Sequence, residues 1–134
     1  MKLRTLISLS LIAFCVSAVS ANELDSCSKV GPMTTVQQCM EEALVQAKNE
    51  YEAVFEMTEK NVKEFDAIVK NDHAGLKALV SANSAFRYYQ EQQCQFERTM
   101  MEPGTGAGNV YRQCMIDLYK VQTQQLKRFH PEEK

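Results

Sequence analysis

From residue 36 onward apolar side chains return at steps of three and four: Val36, Met40, Leu44, Ala47, Tyr51, Val54, then Thr58, Val62, Phe65 and Val69. That spacing holds one stripe on one side of a 3.6-residue helix, so a long amphipathic helix is expected here. Thr34 or Thr35, with Gln37 or Gln38 three residues on, has the form of a capping box and marks the expected start. Glu41, Glu42, Lys48, Glu50, Glu59 and Lys60 fall mostly off the stripe and read as a wet face. Asn71-Asp72-His73 breaks the pattern, and Asn71 or Asp72 can cap a second helix. Its stripe runs Leu76, Leu79/Val80, Asn83, Phe86, Gln90 and Cys94, extended by Phe96 and Met100.

Residues 102–109, Glu-Pro-Gly-Thr-Gly-Ala-Gly-Asn, cannot prolong that helix, because proline removes a donor and three glycines raise the entropy cost of order. They are expected to be a loop. A third helix should follow from about Asn109, with Val110/Tyr111, Cys114, Leu118, Val121 and Leu126 or Phe129 near one face, until Pro131 stops it. Residues 22–33 read as an irregular lead. Without period-2 alternation or repeats, the expected fold is all-α, a small antiparallel helical bundle of two to three long helices.

The N-terminus has a different character. Lys2 and Arg4 precede an apolar run over residues 6–19, and Val19-Ser20-Ala21 supplies small residues for cleavage before Asn22. A retained spanning helix would need roughly 20 apolar residues. The expected organisation is a signal peptide over residues 1–21 and a single helical domain over residues 22–134, delivered to the periplasm or beyond. Cys15 suggests lipid attachment, but bulky Phe14 precedes it, and it is expected to leave with the signal.

Cleavage removes two of the fifteen basic residues and no acid, leaving thirteen against seventeen and a net charge of −4. That balance disfavours nucleic acid and anionic lipid surfaces and mildly favours a cationic partner. The remaining cysteines, Cys27, Cys39, Cys94 and Cys114, are even in number in an exported chain and read as disulfides. Three connectivities are possible. Cys27–Cys39 and Cys94–Cys114 are preferred, because each pair brackets a Gly/Pro-containing break, and each would restrict the unfolded chain by roughly 3 kcal/mol. Four zinc thiolates are the competing arrangement, but the close CxxC pairs are missing.

Candidate chemistry is sparse. His73 and His130 are far apart, and no CxxCH, HExxH or CxxC occurs, so no cofactor, metal or catalytic machinery is expected and the chain reads as a non-enzyme. The glycine loop lacks the preceding strand and following Lys of a phosphate cradle. Tyr88 and Tyr89 cannot both face inward beside Phe86, so at least one ring should meet solvent next to Arg87, as on partner surfaces.

The run Ala82-Asn83-Ser84-Ala85-Phe86-Arg87-Tyr88-Tyr89-Gln90-Glu91-Gln92-Gln93-Cys94 resembles the signature AQ-x-A-W-x-x-Y-R-D-x-x-C of the lysozyme inhibitor LprI-like proteins. Gln38-Cys39, Ala47 and Phe55 fit the family's first helix. Cys114-Met115-Ile116-Asp117-Leu118, with Leu126 later, is similar to its second cysteine segment, C-L-x-x-L. Phe86 stands where the family usually has Trp, Gln90-Glu91 where it has Arg-Asp, and Lys48 where it often has Asp. The resemblance implies an exported helical protein that binds and blocks lysozyme or another cationic hydrolase. The candidate partner-binding residues are then the loop residues Gly104, Thr105, Gly106, Gly108 and Asn109, with Tyr88 and Tyr89. Between residues 101 and 119 the acids are Glu102 and Asp117 alone, against Arg112. An envelope structural or interaction module with no enzyme target is the alternative.

Overall fold

A computed structural model describes residues 22–130; the expected signal, Cys15 and Pro131 lie outside the described residues. Four helices follow one another: α1 (Glu23–Cys27), α2 (Met33–Val69), α3 (Ala74–Met100) and α4 (Ala107–Lys127). Among the described residues there is no strand. The chain reverses between α2 and α3 and again between α3 and α4, so α4 runs parallel to α2. Cys27–Cys39 ties α1 to α2 and Cys94–Cys114 ties α3 to α4, the pairing expected from the breaks.

The core gathers Cys27, Val36, Met40, Ala47, Tyr51, Ile116, Tyr119 and Leu126. Its centre is aromatic: the Tyr51 ring lies 5.5 Å from Phe86 and 5.3 Å from Tyr119, centroid to centroid. The Tyr51 hydroxyl is only useful in such a place if it is bonded, and it donates to Asn83 Oδ1 across the α2–α3 seam. Burial pushes the Tyr51 phenol up, with Arg87 acting against it. The signature run thus builds packing. Phe86 closes the aromatic cluster, and buried Gln90 donates Nε2 to the Met115 carbonyl at 3.2 Å. Cys94 beside it carries the bond to α4.

Several helix boundaries and faces differ from expectation. The lead is not irregular: Asn22 Oδ1 accepts from Leu24 N at 2.9 Å and caps α1. Five residues cannot hold a helix unaided. The helix is secured by Cys27–Cys39, by Leu24 N donating to Gln113 Oε1 at 2.7 Å, and by the Glu23–Lys120 ion pair. α2 begins at Met33 with Pro32 in the cap position and no side-chain cap, so the Thr34/Thr35 capping box does not form. The Pro32 carbonyl already accepts from Thr35 N and Val36 N, so the helix starts before either threonine could cap it.

Neither Asn71 nor Asp72 caps α3. Its cap residue, His73, is left-handed, as are Lys70 and Asp72, and none of them supplies a side-chain oxygen to the helix. Asp66 does so from α2. Its carboxylate accepts from Gly75 N at 3.1 Å and Leu76 N at 2.9 Å while being 2% exposed. Burial opposes its ionisation, but hydrogen bonds from Leu76, Asn71 and Gly75 and the charge of His73 outweigh it. The carboxyl is held below its ordinary value.

The stripes also end early. Phe65 and Val69 on α2 are exposed because α4 has ended before those turns, whereas Phe96 and Met100 on α3 are exposed because they point away from the face on which Cys94 meets α4. On α4 the inward face is Ile116, Tyr119, Thr123 and Leu126, with Val121 exposed. The expected face was rotated because it followed the aliphatic Leu118 and Val121 and passed over Thr123.

Candidate functional site

Three surfaces could carry function, and the helix lengths decide where each lies. The first is the α3–α4 turn. Gly104 N donates to the Met101 carbonyl at 2.8 Å and Ala107 N to the Gly104 carbonyl at 3.3 Å, so residues 101–106 form a chain of tight turns. A Cβ at Gly104 would meet the Met101 carbonyl oxygen at 2.7 Å, so the turn requires glycine at that position. The loop is shorter than the expected 102–109. α4 has already begun at Ala107, which takes Gly108 and Asn109 into its first turn. Asn109 is 4% exposed and its Nδ2 approaches Met33 Sδ at 3.7 Å, facing the core. Gly104 and Thr105 remain at the exposed tip, with Gly106 half-buried behind them.

Tyr88 and Tyr89 are both on the surface, 71% and 53% exposed. They stand on α3 more than eleven residues before the loop, about 17 Å along the axis. The loop and the tyrosine pair are therefore two places and not one site.

The second surface lies on α2. Between residues 41 and 56 it carries Glu41, Glu42, Glu50, Glu52 and Glu56 against Lys48 alone. Glu41, Glu42 and Glu50 edge a shallow depression with Val45, which is half exposed at 49%. Glu41 Oε2 accepts from Arg112 Nε at 2.9 Å, and Arg112 lies six residues past Gly106. The acidic face thus begins about 9 Å down the bundle from the loop. Reading residues 101–119 alone missed this, because the acids arrive through space from α2. Arg112, Lys127 and Lys48 pair with Glu41, Glu50 and Glu52 and neutralise them in part, through pairs that add little stability, so the charge of this face rests chiefly on Glu42 and Glu56.

Between α3 and α4 the Tyr111 hydroxyl donates to Glu91 Oε2 at 2.8 Å. Burial and that bond push Tyr111 up to about 12, while hydrogen bonds from Gln95 and Tyr111 lower Glu91. This pair clamps two helices and faces no cleft.

The third surface was not expected from the sequence. α4 ends at Lys127, which pairs with Glu50. The turn after it reaches the level of Thr58, whose Oγ1 lies 2.8 Å from His130 Nε2, whereas α2 runs eleven residues beyond Thr58, about 17 Å. Beyond that level α2 and the first half of α3 are the only described elements, and no α3 residue before Gln90 is buried. An open apolar groove of about 710 Å³ results, walled by Phe55, Val62 and Phe65 from α2, Leu79 and Ala82 from α3, and Phe129 after α4. The one sequence signal for it was an apolar stripe on α2 longer than α4 could cover.

Among the described residues no group of three or more His, Cys, Asp and Glu side chains could hold a metal ion, and no helix is long and apolar enough to cross a membrane. The family model described as "Lysozyme inhibitor LprI" matches residues 27–126, from the first disulfide cysteine to the last buried residue of α4. No curated protein and no solved structure matches.

Proposed function

The chain belongs to the lysozyme inhibitor LprI family, and from that premise we propose that it is an exported, non-catalytic inhibitor of a cationic cell-wall hydrolase. The family is one of inhibitors, so a protein partner comes with membership. The observation that carries the present reading is the acidic face of α2 beside a rigid, disulfide-braced turn. Glycoside hydrolases of this kind work through two carboxylates in a cleft, and occluding the cleft is enough to stop them. Complementary charge steers the encounter and fixes orientation. The exposed Gly104-Thr105 tip is then the element that meets the cleft, with Glu42 and Glu56 against the partner's basic rim. The two disulfides support an oxidising, extracytoplasmic setting.

The test is loss of turbidity of a peptidoglycan suspension treated with lysozymes of several types, with and without the purified protein. Inhibition is expected, weakened roughly tenfold by the double reversal Glu42→Lys/Glu56→Lys at unchanged melting temperature. No inhibition at large molar excess over every lysozyme tried would sink the proposal and leave the envelope interaction module in its place.

A further inference from the structure

The groove beyond the end of α4 has a chemistry unlike the rest of this acidic surface. Its lining, among the described residues, includes no carboxylate, and the one charged residue there is Arg128. Among the described residues that guanidinium is held only by Gln125, whose Oε1 accepts from Nη1 at 2.7 Å. The walls are mainly aromatic and aliphatic, with Thr58, Asn61, Asn83, Gln122 and Gln125 among them, and Phe65 and Phe129 stay 57% and 62% exposed at the rim. Large apolar side chains gathered around an open groove mark a place where something binds.

Shape and charge narrow the occupant. The α2 wall runs from Tyr51 to Phe65, about 21 Å, so the groove is long enough for an extended linear chain. If a methylene fills about as much space as a water, ~30 Å³, a sixteen-carbon chain takes up roughly 500 Å³, which the 710 Å³ groove holds. A lone cation in an apolar wall answers an anionic head on such a chain. We propose that this groove binds a long-chain fatty acid, its alkyl tail lying along α2 and α3 and its carboxylate on Arg128. Asn83, which also lines the groove, has its carbonyl oxygen committed to Tyr51. The groove is separate from the acidic face and the glycine turn, and the inference stands whether or not lysozyme is the partner.

Calorimetric titration of the purified protein with palmitate below its micelle concentration tests this. A 1:1 complex is expected, weakened about fivefold for each two carbons removed from the tail, since half-open walls recover only part of the full methylene contribution. Palmitate methyl ester should bind about tenfold more weakly than palmitate to the native protein and equally to Arg128→Ala. Ala82→Phe, which adds a ring at an exposed wall position, should abolish binding without lowering the melting temperature. Equal affinity for acid and ester in the native protein, or full binding by Ala82→Phe, would overturn the assignment. So would a concentration-dependent dimer, seen by sedimentation, that Ala82→Phe dissolves and palmitate does not, because the groove would then be covered by a second copy.

Discussion

Replacing Cys94 and Cys114 together by alanine isolates what the brace of the α3–α4 hairpin contributes. The bond joins residues 20 apart, so it closes a loop of 21 residues in the unfolded chain. The loop-entropy relation gives about 3.3 kcal/mol for that closure. Both sulfurs are buried, at 0% and 6% exposure, so their loss also removes packing, and a total of about 3–5 kcal/mol is expected. A domain of this size loses about 4 °C of Tm per kcal/mol, which makes the expected fall about 12–20 °C. Thermal and urea melts followed by far-UV circular dichroism, on the variant and on reduced native protein, measure it. A fall of less than about 1 kcal/mol would refute the reasoning. It would mean that the hydrogen-bonded turns at residues 101–106 already hold the chain ends together before folding. Removing Cys27–Cys39 serves as the comparison. Its 13-residue loop predicts nearly the same entropy, about 2.9 kcal/mol. Its native-state effect should differ, since α1 is then left with little more than its Gln113 and Lys120 contacts. Hydrogen exchange should show α1 amides unprotected while the middle of α2 stays closed.

Two glycines near helix starts should respond to alanine with opposite signs. At Gly75 the new Cβ would meet Asp66 Oδ1 at 2.6 Å and Val62 Cγ1 at 3.1 Å, so a loss of about 1–2 kcal/mol is expected in urea melts. At Gly108 it meets only the mobile end of Arg112, at 3.2 Å, and the usual helix gain of about 0.5–1 kcal/mol should appear. Asp66→Asn should lower Tm at neutral pH and leave the first turn of α3 open to exchange. Because the folded carboxyl sits below its ordinary value, its contribution is complete above the ordinary aspartate range near pH 4 and is lost as pH falls through the depressed value. The gap between native and variant melts should therefore close in strong acid; a constant gap would contradict the capping role. Tyr51→Phe removes the α2–α3 hydrogen bond while keeping the ring and should cost about 1 kcal/mol in urea melts, with no change in lysozyme inhibition.

Much of the bundle could be read from the chain. The upper α2 stripe, from Val36 to Tyr51, is buried as its spacing required, and the two glycine/proline breaks located both hairpins that the cysteines span. Phe86 lies inward and Tyr88 and Tyr89 both outward, where the helical spacing required only that at least one tyrosine meet solvent. Asn109 was misread because glycine-rich composition says nothing about where a following helix captures its first turn. The same limit explains α1. Five residues have no helical signal of their own, and their order comes from Gln113 and Lys120, some ninety residues away.

Periodicity, cysteine count and the position of helix breakers are local properties, so an all-α bundle of two to three long helices with two disulfide staples, and the family resemblance, could be read from the chain alone. The sequence could not determine which turns of a stripe would find a partner, because that depends on how far the facing helix reaches. α4 stops at Lys127 while α2 continues to Val69. That difference in length, expressed only when the helices lie side by side, leaves Phe65 uncovered and opens the groove at Arg128. The same packing sets Glu41 beside Arg112 and so gives the glycine turn its acidic neighbour. Tertiary structure decided these features because each joins residues that no short-range pattern can relate.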